Sequence, residues 1–522
     1  MLTRLLIVGL DAMDKDLVQR WAEAGKMPTF KRLLERSVWG ETENPVGLEA
    51  GGVWPSFYTG VSPARHGMYY AFLRFIAETY EQRIFRREDF TAEPFWDRLS
   101  GDGLRFAVFD APYTFRSEKI NGVHVMDWGT HAPMEWPHTG VNAFKTTPAE
   151  LSHEIEQRFG RDHIGNDDLV KLRCLEDYQR FQRDLIERVE KKTGIALHLL
   201  SKGGWDCMMP VFHEAHAIGH RCWHLHDPSH PLHDAAVREV MGDPIEDVYI
   251  AIDRAVGALL EAAGPDANVL VFCSHGMGPN YTATRLLDQI LLKIEGFEVP
   301  QGRQSMLRTL HQVWDHTPRP IQELLAPARA KLWQNGVKRR LIESDRTKRK
   351  CFEVTNNGAT GGIRVNVIGR EPKGMIQPGR EFDAFCEALT QDLLAIVDVV
   401  SGQPLVKRVV KTAAAYHGPR VPDLPDLLVD WNREAPIRRV QSPKIGTMDQ
   451  VYQLNRTGDH RPRGMFLATG PAFNPRRLNH LTSVNDFAPT IAALLGASLT
   501  GIDGTPIAAL APAGLTPQQP AA

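Results

Sequence analysis

No two of the six cysteines stand in a Cys-x-x-Cys pair; Cys174, Cys207, Cys222, Cys273, Cys351 and Cys386 are scattered along the chain. That argues against a zinc ribbon and against a disulfide framework, and a reducing cytoplasm is the expected compartment. Cys222 and Cys273 flank candidate site residues, but each sits in an apolar stretch, where cysteine acts as a small buried hydrophobe rather than a ligand. No apolar run approaches the length of a membrane span, so no membrane is expected as a partner. The opening MLTRLLIVGLDAMD lacks a small-residue cleavage site, and Asp11 follows its apolar run directly. It reads as a buried strand and not as a signal peptide. A long basic tract is also missing, and with a net charge of −2 and 24% charged residues no nucleic-acid polymer is expected as a partner.

What the chain does have is histidine in one place. Seven of its twenty histidines fall between His213 and His233. Neutral imidazole is the commonest side-chain ligand for transition metals, so the clustering points to metal. His216, His220 and His224 are spaced four apart, which stacks them on one helical face and lets the first two converge on one ion. A solvated histidine run is the bland alternative, but this one is interleaved with Val211, Phe212, Ile218, Trp223 and Leu225.

At 522 residues the chain can bury a large core and carry at least one further lobe. Leu5 to Leu10 is a continuous apolar run ending in Asp11, the pattern of a central parallel strand whose carboxyl end presents an acid. Ligands bind at that end of open α/β sheets. Asp14 is better placed than Asp11 to cap the helix that follows, up to Ala24. Between Glu43 and Gly67, glycines 47, 51 and 52 allow close backbone approach, and Val53 to Tyr58 reads as a helix started by a loop, with backbone amides free to face an anion. An ordinary turn is the competing reading there. Asp206 to Phe212 is a strand that delivers the histidine stretch, and Asn268 to Cys273 is another, ending in Ser274 and His275. Residues 300–350 are basic and helical, a solvated face, and 300–445 reads as an inserted smaller α/β lobe. Gly464 to Thr469 is a strand just after Asp459 and His460. The Ala/Pro/Gln-rich tail, 511–522, is expected to be disordered.

Six segments, taken together, resemble the alkaline phosphatase superfamily, in its type I phosphodiesterase and nucleotide pyrophosphatase branch. They are IVGLDAMD at Ile7, WPSFYTGVSPARHG at Trp54, HAIGH at His216, SHGMGP at Ser274, GDHRPRGMFLATGP at Gly458 and SVNDFAPTIAALLG at Ser483. The resemblance implies a doubly wound α/β core with a mostly parallel sheet and helices on both faces, spanning 1–300 and 445–510. It also implies divalent metal ions, one or two zinc, with manganese or iron as alternatives. Asp11 and His275 match ligands of the family's second metal position, and His220 and His460 match ligands of the first.

Three positions depart from the pattern. His216 stands where the family has an aspartate, which makes the first position a three-histidine site. Ser274 replaces the aspartate of an Asp-His-Gly motif and is counted with the metal residues. The nucleophile position is Ala50, which has no alcohol. A metal-bound hydroxide can attack directly, with Glu49 turned inward as a replacement ligand. Ser56 can serve as the alcohol, although it lies nearly two helical turns further on. Or the site has decayed and the protein binds without turnover. Because the matching ligands are intact, an altered but working site is favoured, with Asn280 and Arg461 as substrate contacts. The expected function is therefore metal-dependent hydrolysis of a small anionic ester, a phosphodiester ahead of a phosphomonoester. A sulfatase-type relative is disfavoured because no Cys-x-Pro-x-Arg motif occurs near Ala50. Homo-oligomer formation is left open.

Overall fold

The computed structural model describes residues 4–511, apart from 71–72, 131–143, 166, 168–169, 299–316, 318–320, 322–324, 326–345 and 453. The sequence readings of the tail beyond residue 511 and of most of 300–345 lie outside the described residues. The apolar run at the start of the chain is strand β1, Leu5–Leu10, buried along its whole length. Its side chains alternate as a strand requires. Leu6, Val8 and Leu10 enter one apolar core, and Leu5 and Ile7 enter another on the opposite face.

A ten-stranded sheet grows outward from β1. Strand β2 is Val38–Glu43, β3 is Phe106–Phe109, β4 is Gly122–Met126, β5 is Lys145–Thr147, β6 is Cys207–Phe212 and β7 is Asn268–Cys273. β1 lies between β6 and β7, parallel to both, and β3 and β4 continue the parallel set beyond β6. Helices cover both faces. On the first face lie α1, Lys15–Glu23, α3, Leu175–Lys202, α4, Glu214–His226, and α5, Pro244–Ala263; on the second lie α2, Glu49–Thr59, and α7, Phe487–Leu494. Asp14 caps α1, its carboxylate accepting from the Asp16 and Leu17 amides, which leaves Asp11 for other work.

Beyond β7 the sheet is no longer parallel. Strand β14, Arg463–Thr469, runs antiparallel between β7 and β2. It is reached only after the chain has left the core and returned. A four-stranded antiparallel sheet forms the excursion: β9, Cys351–Val354, β10, Thr360–Val365, β11, Val406–Lys411, and β12, Leu427–Trp431, in the order β9–β10–β12–β11. Helix α6, Arg380–Leu394, buries Cys386, Leu389 and Leu393 in this lobe. The lobe's apolar core also takes in Ala283, Leu287 and Ile290, so its packing begins before residue 300.

Two short strands close the design: β8, Gly276–Pro279, pairs antiparallel with β13, Gly458–Arg461. This pairing carries the returning chain to the carboxyl end of β7.

α2 is pressed hard against β1. A Cβ on Gly9 would lie 2.7 Å from Trp54 Cη2 and 2.9 Å from Val211 Cγ2. Gly9→Ala is therefore expected to overpack this contact and destabilise the fold by about 1–3 kcal/mol. A lowered urea midpoint, with a change in Trp54 fluorescence, checks this; an unchanged midpoint would show that the helix yields freely.

Candidate metal centre

Helix α4 begins one residue after β6, so its first turns sit at the carboxyl edge of the sheet. His216 and His220 occupy successive turns on the face that looks inward. β13 brings in His460, held opposite Met277 of β8. All three imidazoles are buried. His220 Nε2 lies 3.1 Å from His216 Nε2 and 2.9 Å from His460 Nε2.

A hydrogen bond orients the central ring of the three. His220 Nδ1 lies 2.8 Å from the Gly458 carbonyl oxygen, which can only accept. Nδ1 therefore carries the proton, and Nε2 turns its lone pair toward the other two rings. An outer nitrogen tied to a carbonyl and an inner one left basic is how metal-ligating histidines are oriented. In a tetrahedral zinc site, with Zn–N of about 2.0–2.1 Å, the nitrogens sit about 3.3 Å apart. The donor set thus fits a divalent ion. Among the described residues one other group of His, Asp or Glu is similarly close, His163, Asp184 and Glu187, and it lies toward solvent.

Asp11 and His275 stand beside this trio as a pair. His275 Nε2 is 3.8 Å from Asp11 Oδ1, and its ring faces His460 at a centroid distance of 4.0 Å. Burial lowers the His275 pKa despite the neighbouring Asp11 carboxylate. Asp11 Oδ1 accepts from Trp54 Nε1 at 2.8 Å and from Ser274 Oγ at 2.9 Å. Ser274 Oγ in turn accepts from the Ala12 amide at 3.1 Å, so its hydroxyl orients Asp11. His213 Nδ1 lies 3.4 Å from Asp11 Oδ2, and its Nε2 is 2.8 Å from the Asp110 carbonyl oxygen.

The remaining sequence candidates are placed differently. Glu49 opens α2, and its Oε1 accepts from the Gly47 amide at 3.2 Å. Burial raises its pKa, although Arg433 acts in the other direction. Ser56 is fully buried within α2, with Oγ 3.2 Å from His66 Nε2. His66 Nδ1 already accepts from the Met68 amide, so its proton is on Nε2 and is offered to Ser56. Burial lowers the His66 pKa to about 3. An imidazole in that state cannot take the Ser56 proton, so the dyad is not an activated alcohol. Asn280 is spent on the returning chain, its Nδ2 donating to the Arg456 carbonyl and its amide to Thr457. The Arg461 side chain crosses Gly278. Its pKa is lowered by burial and by Arg433. The other histidines of the stretch are engaged elsewhere: His224 with Thr457 and Tyr178, His226 with Asp243, His230 against the Tyr281 ring, and His233 with the His224 carbonyl.

The sequence model of the family described as type I phosphodiesterase / nucleotide pyrophosphatase matches residues 5–424. The chain belongs to this family. A similar fold is found in phosphonoacetate hydrolase from Sinorhizobium meliloti 1021, solved in complex with phosphonoformate, which superposes with a TM-score of 0.50 at 13% identity, over 95% of this chain and 96% of that one. Human ectonucleotide pyrophosphatase / phosphodiesterase 5 is also similar, with a TM-score of 0.46, 13% identity and coverage of 96% and 97%. No curated protein matches the chain in sequence. The type I phosphodiesterase family hydrolyses phosphoric esters.

Three residues at this centre escaped sequence reasoning. His213 stands immediately after β6, as Asp11 does after β1, and that shared position was the available signal. Trp54 lies in an apolar helix and reads as core. Arg433 comes from the lobe, 27 residues before His460, to whose carbonyl oxygen its guanidinium donates; no local pattern announces it.

His216→Ala, His220→Ala and His460→Ala are each expected to lower bound zinc severely while far-UV circular dichroism stays native. His230→Ala should retain it. Elemental analysis of the four purified variants decides the matter, and equal metal content in all would remove the assignment.

Proposed function

We propose that the chain is a metal-dependent phosphodiesterase in which water, rather than a side-chain alcohol, attacks phosphorus. The observation that carries this is the convergence of His216, His220 and His460, taken with Ala50 at the position where the family resemblance expects the alcohol. A divalent ion held by these three residues would supply Lewis-acid stabilisation and make water a better nucleophile near neutral pH.

The chain's own residues supply the rest. Three neutral imidazoles leave the ion's double charge uncancelled, which favours an anionic ester. Arg433 and Arg461 add positive charge on the lobe side of His460. His275, kept neutral by burial, presents Nε2 between Asp11 and the His460 ring. The lobe is fastened to the loop that enters α2: the Asn356 side-chain amide donates to the Gly47 carbonyl and Tyr416 Oη to the Val46 carbonyl. Membership of the type I phosphodiesterase family favours a diester over a monoester as substrate.

A chiral phosphorothioate diester is expected to react with inversion, because one displacement occurs. Retention would mean a covalent intermediate and would end the water-attack reading. Ser56→Ala should keep the rate within a few-fold. Chelator should abolish turnover and added zinc restore it. If the metal-loaded protein turns over none of a panel of aryl diesters, monoesters and sulfate esters, the alternative of a binding protein with the same fold replaces this one.

A further inference from the structure

The family resemblance raises the expectation of a second ion beside Asp11 and His275, and the residues there do not fit one. A cation site needs several donors with free lone pairs aimed at one point. Asp11 Oδ1 receives two protons, from Trp54 Nε1 and Ser274 Oγ, and two hydrogen bonds occupy the in-plane lone pairs of one carboxylate oxygen. Oδ2 faces His213. Position 274, an aspartate in the family, is a neutral hydroxyl whose proton goes to Asp11 and whose oxygen takes the Ala12 amide. Ala50 offers no donor. Glu49, the nearest replacement in sequence, has Oε1 engaged by the Gly47 amide and belongs to no group of three close His, Cys, Asp or Glu side chains among the described residues. Among the described residues no group of three close His, Cys, Asp or Glu side chains contains Asp11 or His275.

These substitutions act together. Ala50 and Ser274 each remove a donor, and Trp54 directs its N–H at Asp11 Oδ1. We infer that this chain is a one-ion member of its family: His216, His220 and His460 hold the ion, and Asp11 has become a hydrogen-bond hub that locks α2 and β7 to β1. This rests on the three-histidine reading above.

Stoichiometry tests it directly. The full-length protein is stripped with chelator, reloaded with zinc, and measured by elemental analysis per chain and by titration calorimetry. About one zinc per chain is expected in the wild type. Asp11→Asn, which keeps the acceptor Oδ1, and His275→Ala should each bind zinc with affinity within about three-fold of wild type, whereas His220→Ala should lose it. Two zinc per chain, or loss of zinc in either Asp11→Asn or His275→Ala with native circular dichroism, overturns the inference and leaves the three-histidine site standing. No zinc in the wild type overturns both.

Discussion

The hydrogen bond between His220 Nδ1 and the Gly458 carbonyl is the constraint on which the centre depends. It fixes one tautomer, and from that tautomer follows the inward lone pair of Nε2. It also joins two pieces of chain far apart in sequence, helix α4 and strand β13. The Thr457 amide reinforces the joint by donating to the His220 carbonyl at 2.7 Å. Such an approach needs bare backbone. A Cβ on Gly458 would lie 2.2 Å from the Gly219 carbonyl oxygen, and one on Gly219 would lie 2.8 Å from Met277 Cγ. Glycine at both positions lets the helix and the strand touch closely enough for His460 to meet the other two rings.

The lobe is coupled to the same place from the other side. Asn356 and Asn357 both reach the Gly47 carbonyl, a Cβ on Gly358 would collide with Asp459, and Arg433 donates to the carbonyl of His460 itself. Burial opposes ionisation of Asp459, but the charge of Arg456, 3.0 Å away, helps hold its carboxyl below the ordinary range. The ligand strand is thus held between core and lobe, so a displacement of the lobe would be felt at His460.

Much of this was legible in the sequence, and the physical reason is local. An apolar run of six residues with an acid after it can hardly be anything but a buried strand presenting that acid, and histidines four apart on a helix must share a face. Asp11, His216, His220, His275 and His460 could be picked out because each stands at a strand end or on a helix face defined by its own neighbours. Ser274 and Ser56 show the limit. Both carry a hydroxyl at a suggestive position, yet their work is set by partners elsewhere in the chain: Asp11 for one and the His66 tautomer for the other. Trp54 and Arg433 have no local signature at all, since an indole in an apolar helix and an arginine in a lobe loop become informative only once the fold brings them to Asp11 and His460. The antiparallel placement of β14 in an otherwise parallel neighbourhood was equally invisible, because strand order depends on where a chain returns and not on what it is made of.

That return has a bearing on how the protein is made. β14 lies between β7 and β2, and it is synthesised after the whole of the lobe. On a ribosome, the N-terminal strands emerge first but cannot complete their sheet, and β2 and β7 expose edges until residue 469 has appeared. The lobe's four strands are contiguous between 351 and 431 and pair with one another, so they can close earlier. The core sheet is therefore complete only after the lobe has been synthesised, and His460 is the last of the three clustered histidines to leave the ribosome.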